Sequence, residues 1–153
     1  AEEMSNWLAP FTRPSLTFQP QSFGDLGAKL DQAFQHAFVQ GASAVIALGG
    51  DCPALDTTTL LAAVQQLSTH DAVLGPAEDG GYYLLGLKSP QPDLFMNMPW
   101  STSSVLPETR QRLKRLQLKT AELPTLADVD DEVSWQKAVA AGWLKPDSIV
   151  NNR

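Results

Sequence analysis

Ala44-Val45-Ile46-Ala47-Leu48-Gly49-Gly50-Asp51-Cys52-Pro53 decides how the rest of the chain is read. Five apolar residues end abruptly at two glycines, and an aspartate follows at once. An unbroken apolar run of that length reads as a strand covered on both faces, as in a parallel sheet with helices on each side. Two further runs repeat the theme. Ala72-Val73-Leu74 leads into Gly75-Pro76-Ala77-Glu78-Asp79-Gly80-Gly81, and Tyr82-Tyr83-Leu84-Leu85 leaves those glycines directly. In open α/β sheets ligands bind beyond the carboxyl ends of the strands. Asp51 and Asp79, each at such an end and each beside glycines, are therefore the candidate catalytic residues.

Outward from this centre the chain alternates helix and strand. Leu26, Leu30, Phe34 and Phe38 recur at i+4 and predict a helix over 24–40, closed by Gly41. Asp25 falls in its first turn, where a carboxylate complements the helix dipole. Asp56 is placed to cap a helix reaching Leu67, with Leu60, Val64 and Leu67 inward. Strands are expected at 72–74 and 82–87. Leu94, Phe95 and Met98 anchor a connector over 89–99. A helix from Trp100-Ser101-Thr102-Ser103-Ser104 to Leu116 turns Val105, Leu106, Thr109, Leu113 and Leu116 inward, and Arg110, Arg112, Lys114 and Arg115 read as its solvated face. A short edge strand is expected at 119–123. Asp128, Asp130 and Asp131 precede a last helix carrying Val133, Trp135, Val139 and Trp143. Residues 1–20, broken by Pro10, Pro14 and Pro20, read as an irregular lead-in, and 146–153 as a loose tail.

The 153 residues are expected to form one α/β domain, large enough to bury a core. A net charge of −6 argues against a nucleic-acid partner. No apolar run reaches the ~20 residues of a membrane helix. A single cysteine, Cys52, leaves no internal disulfide and fits a reducing, cytoplasmic setting. Without a nearby histidine it reads as a packed residue. His36 and His70 are isolated, and neither a Walker loop nor a G-x-G-x-x-G motif is present.

Several residues admit two readings. Asp51 can ligate a divalent cation that bridges a diphosphate, or simply bond its own turn. Asp79 sits in an Asp-Gly hairpin signal, yet Gly75, Gly80 and Gly81 would let a ligand approach the backbone closely. Tyr82 and Tyr83 should point to opposite faces of the sheet. Of the three carboxylates at 128–131, one reads as the cap of the helix, and the surplus admits a second metal ligand as the other reading. Trp100, Ser101 and Thr102 either open a helix or receive an anionic or sugar group there.

Gln21 followed by Gly24-Asp25-Leu26-Gly27, then Gly50-Asp51-Cys52-Pro53, the block Gly75–Leu84, Pro99-Trp100-Ser101-Thr102 with Val105-Leu106 and Thr109, and Asp128-Val129-Asp130 occur in this order. Together they resemble the glycosyltransferase-like family associated with arsenosugar biosynthesis, within the nucleotide-diphospho-sugar transferase (GT-A-like) fold. The resemblance implies a three-layer α/β/α sandwich with a mixed, mostly parallel sheet, N-terminally truncated. It implies Mg²⁺ or Mn²⁺ held by Asp51 with Asp130 or Asp128. It places Gly80, Gly81, Tyr82, Trp100, Ser101, Thr102, Gln21 and Asp25 around the substrate. The expected activity is transfer from a nucleotide sugar to a small-molecule acceptor. The alternatives are nucleotidyl transfer from a nucleoside triphosphate on the same fold, or a non-catalytic remnant used for association.

Two departures from the family pattern stand out. Asp131 replaces a threonine. The family's opening strand and glycine-bearing loop, which cradle the nucleotide, have no counterpart before Trp7. In the family sheet that first strand lies beside the 44–48 strand, so its absence predicts an open edge, covered by self-association or by a rearranged N-terminal segment.

Overall fold

The computed structural model describes residues 19–144. The expected tail and all but the last two residues of the expected lead-in lie outside them. The elements in order are α1 (Leu26–Val39), β1 (Val45–Leu48), α2 (Thr57–Leu67), β2 (Ala72–Pro76), β3 (Tyr82–Leu87), a 3₁₀ turn (Pro92–Leu94), α3 (Val105–Arg115), β4 (Thr120–Glu122) and α4 (Glu132–Ala140). Three of the four described α-helices start at a side-chain cap. Asp25, Asp56 and Asp131 accept from the backbone amides of Ala28, Thr59 and Ser134, each at 2.8 Å, and so cap α1, α2 and α4. Ser134 returns a bond to the Asp131 amide, completing a capping box. Gly41, at φ 92°, follows the end of α1.

The four strands form one mixed sheet in the order β1-β3-β2-β4. β3 runs antiparallel to both β1 and β2, while β4 pairs parallel to β2. Three strands therefore point one way, and their carboxyl ends gather at one edge. Helices cover both faces, as the three-layer expectation required. Phe34 of α1 and Leu106 and Leu113 of α3 pack with Ala72, Leu74, Leu85 and Leu87. Ala63 and Leu67 of α2 pack with Val73, Tyr83 and Leu84 on the other side.

Tyr82 and Tyr83 do point to opposite faces, through a β-bulge. Pro76 pairs with Tyr82 and Gly75 with Leu84, so Tyr83 is the extra residue on β3 and shares a face with Leu84. Its ring lies over Gly75, where a Cβ would come within 2.6 Å of the ring carbon that bears the hydroxyl. The hydroxyl donates to the Pro124 carbonyl at 3.0 Å.

Four expectations are corrected. The strands buried on both faces are β2 and β3. β1 stands at the sheet edge among the described residues, with Val45 to Ala47 half-buried and Leu48 48% exposed. Its apolar run belongs to a strand paired on one side. In α2 Leu60 and Leu67 turn inward as expected, with Ala63 between them, whereas Val64 is 59% exposed, because the helix presents its narrow Ala63 stripe to the sheet. In the last helical segment Val133 and Trp143 are exposed and Ala138 is buried, Trp143 lying beyond the end of α4. Arg112, expected on a solvated face, is only 7% exposed because backbone carbonyls of the 93–97 segment surround its guanidinium. No described helix is long and apolar enough to cross a membrane.

Candidate functional site

A cleft of about 300 Å³ opens at the carboxyl ends of β1, β2 and β4. The loops that leave those strands bring Asp51, Asp79 and Asp128 to it, and Tyr82, Trp100, Ser101 and Thr102 form its other walls. Strand direction explains the convergence. β1, β2 and β4 are co-directional, so the loop after each emerges on the same side, although 77 positions separate Asp51 from Asp128.

The loops are tied together by backbone bonds. The Gly49 amide donates to Tyr83 O and the Val129 amide to Asp51 O, both at 2.9 Å. Cys52 is buried, and its thiol donates to the Ala127 carbonyl at 3.3 Å. Burial chiefly pushes that thiol above its usual range, so it serves as the packed residue its sequence context indicated.

The Asp79 turn is a hairpin with a defined shape. Asp79 Oδ1 accepts from the Gly81 amide at 2.7 Å, and the Ala77 amide donates to Gly81 O at 3.1 Å. Gly80 takes φ 91°, and a Cβ there would meet Ser103 O at 2.6 Å. Its carbonyl accepts from the Leu106 amide at 2.8 Å, which docks the turn on the start of α3. Gly80 thus supports the cleft from behind without lining it.

One carboxylate oxygen from each of Asp79, Asp128 and Asp130 lies within 4.8 Å of the others. Among the described residues no Lys or Arg forms a salt bridge with any of the three. Burial first, then the charges of Asp79 and Asp130, raise the Asp128 carboxyl above its usual value. Three unneutralised carboxylates at this spacing fit a hard, oxygen-seeking divalent cation such as Mg²⁺ or Mn²⁺. The trio includes Asp79, assigned from sequence to catalysis alone, and leaves out Asp51, which lines the same cleft outside it.

The aromatic wall is constrained. Ser101 sits at φ 61°, a left-handed conformation uncommon for a residue with a side chain. Thr102 donates to Pro99 O at 2.7 Å and accepts from the Ser104 amide at 3.3 Å. The Trp100 indole N–H is buried without a hydrogen-bond partner among the described residues, facing Gly27 of α1. Burial pushes the Tyr82 hydroxyl above its usual range.

Gln21 and Asp25 stand apart from the cleft. Gln21 lies in a separate groove along α1, and Asp25 is occupied as the α1 cap. Leu26, read as part of the i+4 apolar face of α1, is 48% exposed and lines the cleft. Its i+4 spacing gave no means of telling core from cleft, since a residue in the first helical turn can overhang the sheet edge.

The profile of the family described as "Uncharacterized protein conserved in bacteria (DUF2064)" matches residues 1–102, a span that holds Asp51, Asp79, Trp100 and Thr102 but not Asp128 or Asp130. A crystal structure of a "putative nucleotide-diphospho-sugar transferase" from Desulfovibrio desulfuricans G20 superposes with a TM-score of 0.76 at 35% identity. The match covers 84% of this chain and 55% of that protein, so the chain spans about half of the relative's length. No curated protein matches the sequence.

Proposed function

The chain belongs to the DUF2064 family, and on that premise we propose that it is a metal-dependent transferase domain that moves a sugar from a nucleotide-activated donor to a small-molecule acceptor. The convergence of Asp79, Asp128 and Asp130 beside an aromatic-walled cleft carries the reading. The likeness to a nucleotide-diphospho-sugar transferase structure supports it.

In this reading Asp79, Asp128 and Asp130 would hold Mg²⁺ or Mn²⁺, which when bound supplies positive charge to a departing diphosphate. Tyr82 and Trp100 offer flat apolar surface to a sugar ring, with Ser101 and Thr102 beside them. Asp51, outside the carboxylate trio, takes the proton of an attacking acceptor hydroxyl. The new bond forms between that oxygen and the sugar carbon, the carbon–oxygen bond to the diphosphate breaks, and the nucleoside diphosphate leaves with the bonding pair. Self-association through the outer edge of β1 is part of the same proposal, supported by the exposure of Leu48, and sedimentation velocity checks it.

Calorimetric titration tests the activity. Wild type, Asp128→Asn and Asp51→Ala would be titrated with UDP- and GDP-sugars, with and without Mn²⁺. Mn²⁺-dependent donor binding that Asp128→Asn abolishes and Asp51→Ala retains is the expected result. Binding of nucleoside triphosphates in preference to nucleotide sugars would move the assignment to nucleotidyl transfer. No binding of Mn²⁺ or of any nucleotide would overturn the reading for this chain.

A further inference from the structure

Arg112 lies on the buried side of α3, outside the lining of the cleft, and makes contacts that an ordinary helix-surface arginine does not. Its guanidinium donates to the carbonyls of Asp93 at 3.1 Å, Leu94 at 3.4 Å and Asn97 at 3.2 Å, and to that of Met96. Glu108, one turn back on α3, accepts from Nε at 2.7 Å. One buried cation thus gathers the backbone of a five-residue arch that has no sheet partner among the described residues and includes Asn97 at φ 52°.

The arch leads to the cleft. Phe95 puts its carbonyl against Gly27 of α1, and Trp100 puts its indole nitrogen there too, at 2.5 and 2.7 Å from where a Gly27 Cβ would be. Trp100 then forms a wall of the cleft. Its buried N–H has no partner among the described residues, so this placement forgoes a hydrogen bond that water would supply. A wall held at that disadvantage needs an outside restraint, and the fork of Arg112 on the preceding carbonyls is the restraint at hand. A lysine cannot substitute, because an ammonium on a flexible stem cannot span several carbonyls in a fixed plane.

We propose that Arg112 is a positioning residue for the candidate site, fixing the Asp93–Asn97 arch so that Trp100 stands as a wall of the cleft. The link to sugar binding rests on the proposed transferase reading, whereas the placement of Trp100 does not.

The test uses the full chain with Trp7, Trp135 and Trp143 replaced by Phe, leaving Trp100 as the sole indole. Near-UV circular dichroism and acrylamide quenching of fluorescence report its environment. Arg112→Lys and Arg112→Met are expected to keep the far-UV spectrum, lose most of the Trp100 near-UV signal and become more open to quenching. Mn²⁺ affinity, measured in the same samples, is expected to stay within about twofold, as for groups that share no partners. If Arg112→Met does not fold, Arg112→Lys alone decides. An unchanged Trp100 signal in a folded variant would overturn the proposal. So would a full wild-type signal in Arg112→Lys, since any cation would then suffice. A parent chain that binds no Mn²⁺ would count against the transferase reading and leave the Trp100 readout intact.

Discussion

The backbone amide of Val129 donates to the carbonyl of Asp51 at 2.9 Å. That bond joins the turn after β1 to the acidic segment after β4, with Asp128 and Asp130 on either side of the donor. The carboxylates around the cleft therefore sit on loops fixed to one another by the main chain, so a change at one carboxylate can be made with little disturbance to the others.

Asp128→Asn is expected to stabilise the metal-free protein slightly while removing its response to Mn²⁺. The Asp128 carboxyl titrates above its ordinary 3.8 because of burial and then of Asp79 and Asp130. Its folded value exceeds its unfolded one, so ionisation is penalised in the fold. The penalty is absent below the unfolded value and complete above the folded one, and stability declines as pH rises between them. Relieving it should raise Tm slightly at neutral pH, and the gain should vanish at low pH. Thermal melts with and without Mn²⁺ check both halves.

Gly27→Ala sets two effects against each other. Alanine gains up to roughly 1 kcal/mol of helix propensity over glycine. Here its Cβ would fall 2.5 Å from Phe95 O and 2.7 Å from Trp100 Nε1. The first is a backbone atom that cannot swing aside, and overpacking costs about 1–3 kcal/mol. The expected net result is a lower denaturation midpoint with a shifted Trp100 emission. A more stable variant would mean that α1 does not pack here as described.

Gly80→Ala should destabilise by more than about 1 kcal/mol, as substitutions at incompatible backbone angles do. Its φ is 91°, and the added carbon would meet Ser103 O at 2.6 Å. Gly50→Ala is the control, since nothing among the described residues lies within 4 Å of its added carbon. Urea unfolding of the pair should separate them clearly.

Glu122 accepts from Arg110 at 2.8 and 2.7 Å, joining β4 to α3. Arg110 holds the Glu122 carboxyl below its ordinary 4.5. The folded value is the depressed one, so the bridge contributes fully above pH 4.5 and is lost as pH falls through the lower folded value. Both side chains are substantially exposed, so Glu122→Gln should cost about 0.5 kcal/mol. The difference from wild type should shrink in high salt and at low pH, which melts across pH and salt would read.

Most elements were legible because their signals are local. The cap at Asp56, the i+4 apolar face of α1 and the Asp-Gly hairpin each involve residues a few positions apart. Val64 and Arg112 were misread for a shared reason. A helix of period 3.6 states which residues lie together, and tertiary packing selects which stripe turns inward. Arg112 was the harder case, because the carbonyls that surround it lie 15 to 19 positions away and carry no side-chain signature.

By itself the sequence determined the alternation of helices and strands, the three-layer class and the acidic residues at strand ends, since each follows from periodicity, glycine placement and matched motifs. Only the tertiary structure decided which acids meet. β3 reverses between β1 and β2 and leaves three strand ends on one side, bringing Asp79 to Asp128 and Asp130 with Asp51 beside them. Strand order depends on pairings between distant segments, and no local pattern encodes it.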